Sequence, residues 1–491
     1  VTPDYDVAVL GLGPVGATLA NLLALRGLKV LCLDREASIY GLPRAVQIDG
    51  ECLRLCQTLG VSAALTPIIH PVPGMRFVDP AGSLILDWSR PMEIGPQGWC
   101  ASYRFHQPDL EACLRARLDV CPNVDIRLRR EVFSVESKAD HVLLRMEDLA
   151  TGRLSQAWAK YVVGCDGARS TVRRFIGSEL TDLKSHERWL VIDVVLKHQR
   201  PDLGDYAVQF CDPVRPATYI RGVGMRRRWE IMLEAGEDPV AAQQPATVWR
   251  LLSRWLQPEE AVLERSAVYT FHSVIAETWR RDRLLIAGDA AHQTPPFMGQ
   301  GMCTGMRDAA NLAWKLSDVI RGESDPSLLD TYEAERSPHA RVFIDEAVRL
   351  GAIIRAFSTH ATDGAKTGEP ERFFTPKPKL GPGVHEGGEH GGEISEQPRL
   401  DNDCLLDDQV GFQSAVLARP DLAAMLPRHA DGPTVVPASS PAAMAWLDRL
   451  GVAAVILRPD RYIFGVAQTE RDLSALIERY AVARRRRVLV S

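Results

Sequence analysis

The sequence predicts an α/β protein of several domains, the first built on an open parallel sheet of the Rossmann-like kind. Three observations carry that prediction. Residues 6–10 read as a short buried strand that runs into a glycine-rich turn, an apolar helix over 17–25 ending at Gly27, and a second strand over 28–34. Strand, turn, helix and strand in about 30 residues make a βαβ unit, which implies parallel strands joined by a right-handed crossover. Two later apolar runs, 161–164 and 283–287, each end at an Asp-containing turn and read as further strands of the same sheet. Finally, 491 residues are too many for one core, since single domains hold about 100–200 residues, so two or three domains are expected.

The intervening elements follow in order. Stretches such as 189–196 and 229–233 alternate apolar and polar residues, the pattern of a more antiparallel sheet buried on one face. Residues 76–99 and 186–275 are therefore assigned to a mixed-sheet, substrate-covering domain. Residues 305–355 carry helical periodicity, with Asp308, Asn311 and Lys315 interleaved with Leu312, Trp314 and Leu316. That segment is expected to return to the first domain, which is then discontinuous: 1–75, 100–185 and 276–360. Residues 361–403 shift to Gly, Pro, Glu and Lys, a composition that buries little apolar surface and reads as a linker. Residues 404–491 resume apolar alternation around a turn at Pro459-Asp460 and end in a helix, a small α/β domain. No repeat of about 20–50 residues is present.

Composition narrows the function. The 58 Lys and Arg against 63 Asp and Glu give a net charge of −5, too even to predict binding to nucleic acid or an anionic membrane. The one basic run, 484–487, reads as a solvated tail or helix end rather than a polyanion contact. Ten cysteines without a CxxC pair point to a reducing cytoplasm. There is no secretory signal pattern and no apolar run of about 18 residues that could span a bilayer.

The first chemical signal is Gly11, Gly13 and Gly16 in GLGPVG, between strand and helix. Gly11 permits the tight turn, Gly13 lets a pyrophosphate approach the backbone, and Gly16 lets helix and strand pack closely. Asp34, followed by Arg35, ends the second strand where a carboxylate accepts from ribose hydroxyls. Glycines also serve ordinary turns; the combination with Asp34 favours dinucleotide binding. The second signal is RLLIAGDAAH, a strand ending at Gly288-Asp289, with TPPFMGQGMCTGMRDAANLAWKL close behind. Asp289 can accept from a ribityl or ribose hydroxyl. Gly299, Gly301 and Gly305 allow close backbone approach and leave a helix N-terminus facing an electron-rich ring. A glycine-rich turn before a core helix explains Leu312, Trp314 and Leu316, but not the whole run.

With YVVGCDGARS, which contains Asp166, Gly167 and Arg169, these motifs make an ordered set of three. On them the chain resembles the single-component flavoprotein aromatic hydroxylases, the family of para-hydroxybenzoate hydroxylase and phenol hydroxylase, and looks most like the 3-(3-hydroxyphenyl)propionate hydroxylases. The resemblance covers about residues 4–350, and the remainder more loosely. It implies FAD bound by the residues above, with Asp166 near both the pyrophosphate and the route of the nicotinamide donor. Pro43-Arg44-Ala45 falls where the family has a mobile loop beside the flavin, and Gln107 matches a family residue at the flavin; a surface arginine and a helix cap are the alternatives. Pro296, Gly299, Gly301, Met302 and Cys303 would line the flavin. Cys303 departs from the family's frequent Asn, so that contact is expected from backbone or from Thr304, because a thiol is a weak donor. Residues 404–491 resemble the thioredoxin-like domain of the phenol hydroxylase branch. They lack a CxxC pair, so packing or oligomerisation, as in a homodimer, is the expected role.

The implied reaction is hydroxylation of a small phenolic compound, such as a hydroxyphenylpropionate, in aromatic compound catabolism. NADH or NADPH serves as transient electron donor, and a flavin C4a-hydroperoxide formed with dioxygen transfers the oxygen. Pro295 and Phe297 are expected beside the ring, and Pro296 in a catalytic position, where backbone groups near Pro295, Pro296 and Gly299 would stabilise the hydroperoxide. His106, Tyr219 and His272 are the candidate bases for the phenol, and Arg221 is the candidate clamp for a substrate carboxylate. Each of these four is also an ordinary structural residue type. No metal is expected. An oxidase, a halogenase or a redox-sensing flavoprotein scaffold are the competing readings, although the Trp-x-Trp-x-Ile-Pro segment expected of a halogenase is absent.

Overall fold

The computed structural model describes residues 2–234, 236–359, 369–426 and 432–485. The βαβ unit folds as its pattern requires: strand Tyr5–Leu10, helix Pro14–Leu25 and strand Val30–Leu33. Tyr5–Leu10 lies between Val30–Leu33 and Leu154–Gly164, parallel to both, and Leu284–Ile286 adds outside Leu154–Gly164. Val124–Arg127 closes the other edge. All four residues of Val30–Leu33 are buried, as expected of a parallel strand covered on both faces.

A second, nine-stranded sheet stands beside it. Its order is His292–Gln293, Ala261–Ala276, Leu180–Leu196, Arg226–Met232, Ala217–Arg221, Ala207–Phe210, Gly74–Val78, Leu84–Ser89 and Glu371–Arg372. The pairings are antiparallel except Gly74–Val78 with Ala207–Phe210 and Glu371–Arg372 with Leu84–Ser89. The long helix Gly301–Ile320 then returns to the first domain, and Asp330–Thr359 starts there, with the Tyr332 hydroxyl donating to the Ile286 carbonyl, and lays Phe343, Ala347, Leu350 and Ile354 against the second sheet. Among the described residues, no helix is long and apolar enough to cross a membrane.

The described part of the glycine-rich stretch 361–403 packs more than its composition suggests. Leu380, Val384, Ser395, Gln397 and Leu400 are buried. Polar anchors explain this: Glu335 Oε1 accepts the Val384 backbone N–H at 2.6 Å, and Arg54 Nη1 donates to the Ser395 carbonyl at 2.7 Å. Backbone groups held in this way substitute for the apolar burial the segment lacks.

The described residues between 415 and 485 include a four-stranded sheet, Thr434–Pro437, Ala415–Ala418, Ala454–Leu457 and Ile463–Ala467, backed by helices Pro441–Leu450 and Glu470–Arg485. It is fastened by buried charge. Arg458 meets Glu335 at 2.8 Å, Lys315 meets the same carboxylate at 2.7 Å, and Asp407 meets Arg54 at 2.7 Å. Of the basic run 484–487, Arg484 pairs with Asp318 at 2.5 Å; residues 486 and 487 lie outside the described residues.

Candidate active site

A cavity of about 470 Å³ opens between the two sheets. At one end lie Gly13, Pro14 and Val15 of the first turn, Gly167 and Ala168, and Asp289. At the other lie Met75, Trp88, Thr218, Ile220, Arg228 and Glu230 of the second sheet. The 296–302 turn runs between them, with Pro296, Phe297, Met298, Gly299, Gly301 and Met302 all on the wall.

The first turn is shaped by what a side chain would strike. Gly11 has φ +90, and a Cβ there would lie 2.4 Å from the Cys165 carbonyl oxygen. One at Gly16 would lie 1.9 Å from the Gly11 oxygen, whereas one at Gly13 would meet nothing within 4 Å. Gly11 and Gly16 therefore serve the fold, while Gly13 presents bare backbone to the cavity at the start of the helix Pro14–Leu25. Asp34 braces the turn: its Oδ2 accepts the Leu12 backbone N–H at 2.8 Å and its Oδ1 that of Glu36 at 2.9 Å. Arg35 is exposed, paired with Glu36.

Asp166 Oδ2 accepts the Thr171 N–H at 2.7 Å, and its buried Oδ1 has no protein partner. Arg173 links this turn to the next, donating to the Ala168 carbonyl at 2.6 Å and the Ala290 carbonyl at 2.8 Å. Asp289 presents an accessible side chain to the cavity. Desolvation there pushes its carboxyl above the usual range against the pull of His292 and Arg44. The turn carrying it is fixed by Asp308, whose Oδ2 accepts from the Gly288 N–H at 3.1 Å and lies 2.7 Å from His292 Nε2. Arg336 completes the set, its Nε donating to Asp308 Oδ1 at 2.9 Å. Sequence reasoning placed Asp308 on a helix without this role; its appearance one residue after Arg307 on a packed helix gives no local hint of it.

The loop at residues 43–45 is held from two sides. Gln107 Oε1 accepts the N–H groups of Arg44 at 3.0 Å and Ala45 at 2.7 Å, and its Nε2 donates to Glu111 at 2.8 Å. From the second sheet, Arg228 donates to the carbonyls of Arg44 at 2.8 Å and Pro43 at 2.5 Å while gripping Asp193 at 2.7 Å. Arg44 and Gln107 both line the cavity, but the Gln107 amide is already committed to its neighbours.

Five expected site residues, His106, Tyr219, Arg221, Pro295 and Cys303, are absent from the cavity wall. The strand Ala217–Arg221 turns Thr218 and Ile220 to the cavity, so strand alternation points Tyr219 and Arg221 to the opposite face. Tyr219 is buried against Trp229, ring centroids 5.2 Å apart, and burial raises its phenol. Arg221 pairs with Asp205 and meets His70 Nε2 at 3.0 Å beside a separate surface pocket. His106 is buried at the start of the helix Gln107–Asp119, its Nδ1 3.2 Å from Asp109, and lines no part of the cavity. Of the three candidate bases only His272 reaches the wall. Cys303 is wholly buried, its thiol within 4.8 Å of that of Cys52, and the Thr304 hydroxyl is spent on the Gln300 carbonyl at 2.9 Å. The exposed first turn of that helix is instead Gly301 and Met302. Pro295 is buried behind the wall that Pro296 and Phe297 form.

Sequence reasoning missed the polar floor of the cavity: Arg228, Glu230, Arg265 and Tyr269 of the second sheet, Arg90 just past the strand Leu84–Ser89, and Arg104 on the strand Ser102–Arg104 of a separate small sheet all line it.

Residues 4–347 match the family model described as "FAD binding domain". A probable NADH-specific resorcinol 4-hydroxylase of Rhodococcus jostii (strain RHA1) is 36% identical, over 97% of this chain and 95% of that protein. A 3-(3-hydroxy-phenyl)propionate/3-hydroxycinnamic acid hydroxylase of Mycobacterium sp. (strain JLS) is 34% identical, over 95% of this chain and 90% of that one. Among solved structures, a ternary complex of aklavinone-11 hydroxylase with FAD and aklavinone superposes with a TM-score of 0.81 at 22% identity, covering 98% of this chain and 99% of that chain, a likeness of fold.

Proposed function

The chain belongs to the FAD binding domain family and is an FAD-dependent aromatic hydroxylase; from that premise we propose how its residues divide the work, with NADH or NADPH and dioxygen as co-substrates and a small phenolic compound as the ring. The observation that carries this reading is the single cavity joining the Gly13 and Asp289 turns to an aromatic-walled sheet face.

The residues fit FAD. Gly13 offers open backbone at a helix N-terminus, where phosphate oxygens meet unpaired N–H groups and the positive end of the helix dipole. Asp289 offers a carboxylate to a ribityl hydroxyl, and Asp166 an oxygen with no protein partner. The N-terminus of the helix Gly301–Ile320 would face the flavin ring, favouring negative charge there. When bound, FAD would supply the redox chemistry that no side chain can, acceptance of hydride from NAD(P)H and activation of dioxygen.

The chain's own part is to bind, orient and keep dry. Met75, Trp88, Ile220, Phe271 and Phe297 make an apolar wall that shields the ring from water. The Gln107 and Arg228 contacts hold the 43–45 loop against the cavity. His272 is the candidate acceptor of the phenolic proton, which must leave or be shared for the ring carbon to become electron-rich. A homodimer remains the proposed assembly, in which the C-terminal domain serves for packing.

The reading is tested by reconstituting the protein with FAD and following NADH and NADPH consumption with a panel of phenols. Acceleration by a phenol, with a product one oxygen atom heavier, supports it. A protein that stays colourless, or turns over donor at a rate no phenol changes, overturns it.

A further inference from the structure

The substrate-side floor of the cavity carries more positive charge than the protein neutralises. Arg90, Arg104, Arg228 and Arg265 all reach the wall. Arg228 and Arg265 share Asp193, at 2.7 and 2.9 Å, and Arg228 lies 3.8 Å from Glu230. Arg90 and Arg104 are different. Among the described residues neither makes an ion pair with any carboxylate, and the Nε of each is buried without a partner. Asp49, the acid whose charge bears on Arg90, is itself taken by Arg307 at 2.5 Å.

Each guanidinium is nonetheless held in place by neutral groups. Arg104 is only 3% exposed, and its Nη1 donates to Gln47 Oε1 at 2.8 Å. Arg90 lies over the Trp88 ring at 4.1 Å and donates to Ser102 Oγ at 2.8 Å. Burial lowers both, Arg90 to about 10 and Arg104 to about 9, the latter with Arg90 and Arg228 adding repulsion against the weaker pull of Glu230, which makes no ion pair with it. A buried cation without a paired carboxylate is costly, and an arginine fork held rigid beside a cavity matches the two oxygens of a carboxylate.

Resting on the hydroxylase reading, we propose that Arg90 and Arg104 form the subsite for a carboxylate carried by the phenolic substrate, so that the preferred substrate is an aryl or arylalkyl carboxylic acid rather than a neutral phenol. Trp88, Met75 and Ile220 flank the pair and take the apolar part of such a molecule. Gln47 ties the subsite to the flavin-side turn, since its Nε2 also reaches the Met298 carbonyl at 3.5 Å. An anchored carboxylate thereby fixes the ring relative to the 296–302 turn.

The test uses the FAD-loaded protein and three compounds: 3-(3-hydroxyphenyl)propionate, its methyl ester and resorcinol. The acid is expected to show a KM at least tenfold below that of the ester, and Arg104→Met and Arg90→Met each to raise the acid's KM at least tenfold while changing the ester's less than twofold. Arg104→Lys is expected to recover part of the loss. Titration with 3-phenylpropionate, followed by the flavin absorbance, reads the subsite without turnover and should weaken at least tenfold in Arg104→Met. If Arg104→Met does not fold, the half-buried Arg90→Met carries the comparison. Equal KM values for acid and ester, equal losses on both in the variants, or a variant that loses FAD instead of the acid overturns the subsite. Binding of 3-phenylpropionate that depends on Arg104, with no phenol hydroxylated, supports the subsite and overturns the hydroxylase reading alone.

Discussion

Gln107 and Ala45 are 62 residues apart in sequence, yet the Gln107 amide oxygen accepts the Ala45 backbone N–H at 2.7 Å. The same oxygen takes the Arg44 N–H at 3.0 Å. One side chain thus sets the conformation of the loop that borders the cavity. Gln107→Leu keeps the bulk and leaves two N–H groups without their acceptor, at about 1–3 kcal/mol. Retained flavin after gel filtration is expected to fall, and FAD titration to give a Kd raised about tenfold or more. Unchanged flavin retention would show the loop to be held by Arg228 alone.

The glycine turn separates a folding role from a binding role. Gly13→Ala adds a methyl group to open space, so the apoprotein should melt as wild type while FAD affinity falls about tenfold or more. Gly11→Ala forces a Cβ onto the Cys165 carbonyl at positive φ and is expected to destabilise the apoprotein by on the order of 3 kcal/mol or more. Thermal melts of both apoproteins, beside FAD titrations, check the pair. The reverse pattern would assign the turn wrongly.

Asp308 serves Gly288, His292 and Arg336 together, all buried. Asp308→Ala leaves the Arg336 charge buried and unpaired, a loss of about 3–5 kcal/mol in similar cases. Because Asp308 fixes the turn that presents Asp289, flavin content should drop further than stability alone accounts for. Urea melts of apo and FAD-loaded forms separate the two effects.

Acid should unfasten the C-terminal domain before it reaches the sheets. Burial pushes the Glu335 and Asp407 carboxyls up, but Arg458 and Lys315 on one, and Arg461 and Arg54 on the other, hold both below the usual carboxylate range. Groups with depressed folded values contribute stability that is present above their unfolded values, near pH 4, and is lost as pH falls through and below them. Melting temperature is therefore expected to fall steeply below about pH 4.5. Glu335→Gln, already without that charge, should start lower at neutral pH and show a shallower acid slope. A parallel slope would remove Glu335 from the acid response.

What could be read from sequence was what neighbouring residues decide. Gly11, Gly13, Gly16 and Asp289 announce themselves because turn, strand end and helix start are contiguous in the chain. Arg90 and Arg104 do not, since one lies just past a strand of the second sheet and the other ends a strand of a separate small sheet, and the two converge only where these meet, at the Arg90 bond to Ser102. Arg221 was expected for the part that Arg90 and Arg104 take. It lies one residue past Ile220, and a single step along a strand reverses the face. Cys303 and Thr304 failed for the corresponding helical reason: their positions on Gly301–Ile320 turn inward, and only the first turn of that helix meets the cavity.

The measurement that bears most directly on this account is turnover of 3-(3-hydroxyphenyl)propionate by FAD-loaded protein and NADH under isotopically heavy dioxygen. The account predicts a dihydroxylated acid carrying one heavy oxygen atom, formed in step with the NADH consumed. NADH oxidised with all the heavy oxygen recovered as peroxide, or a product whose new oxygen came from water, would contradict it.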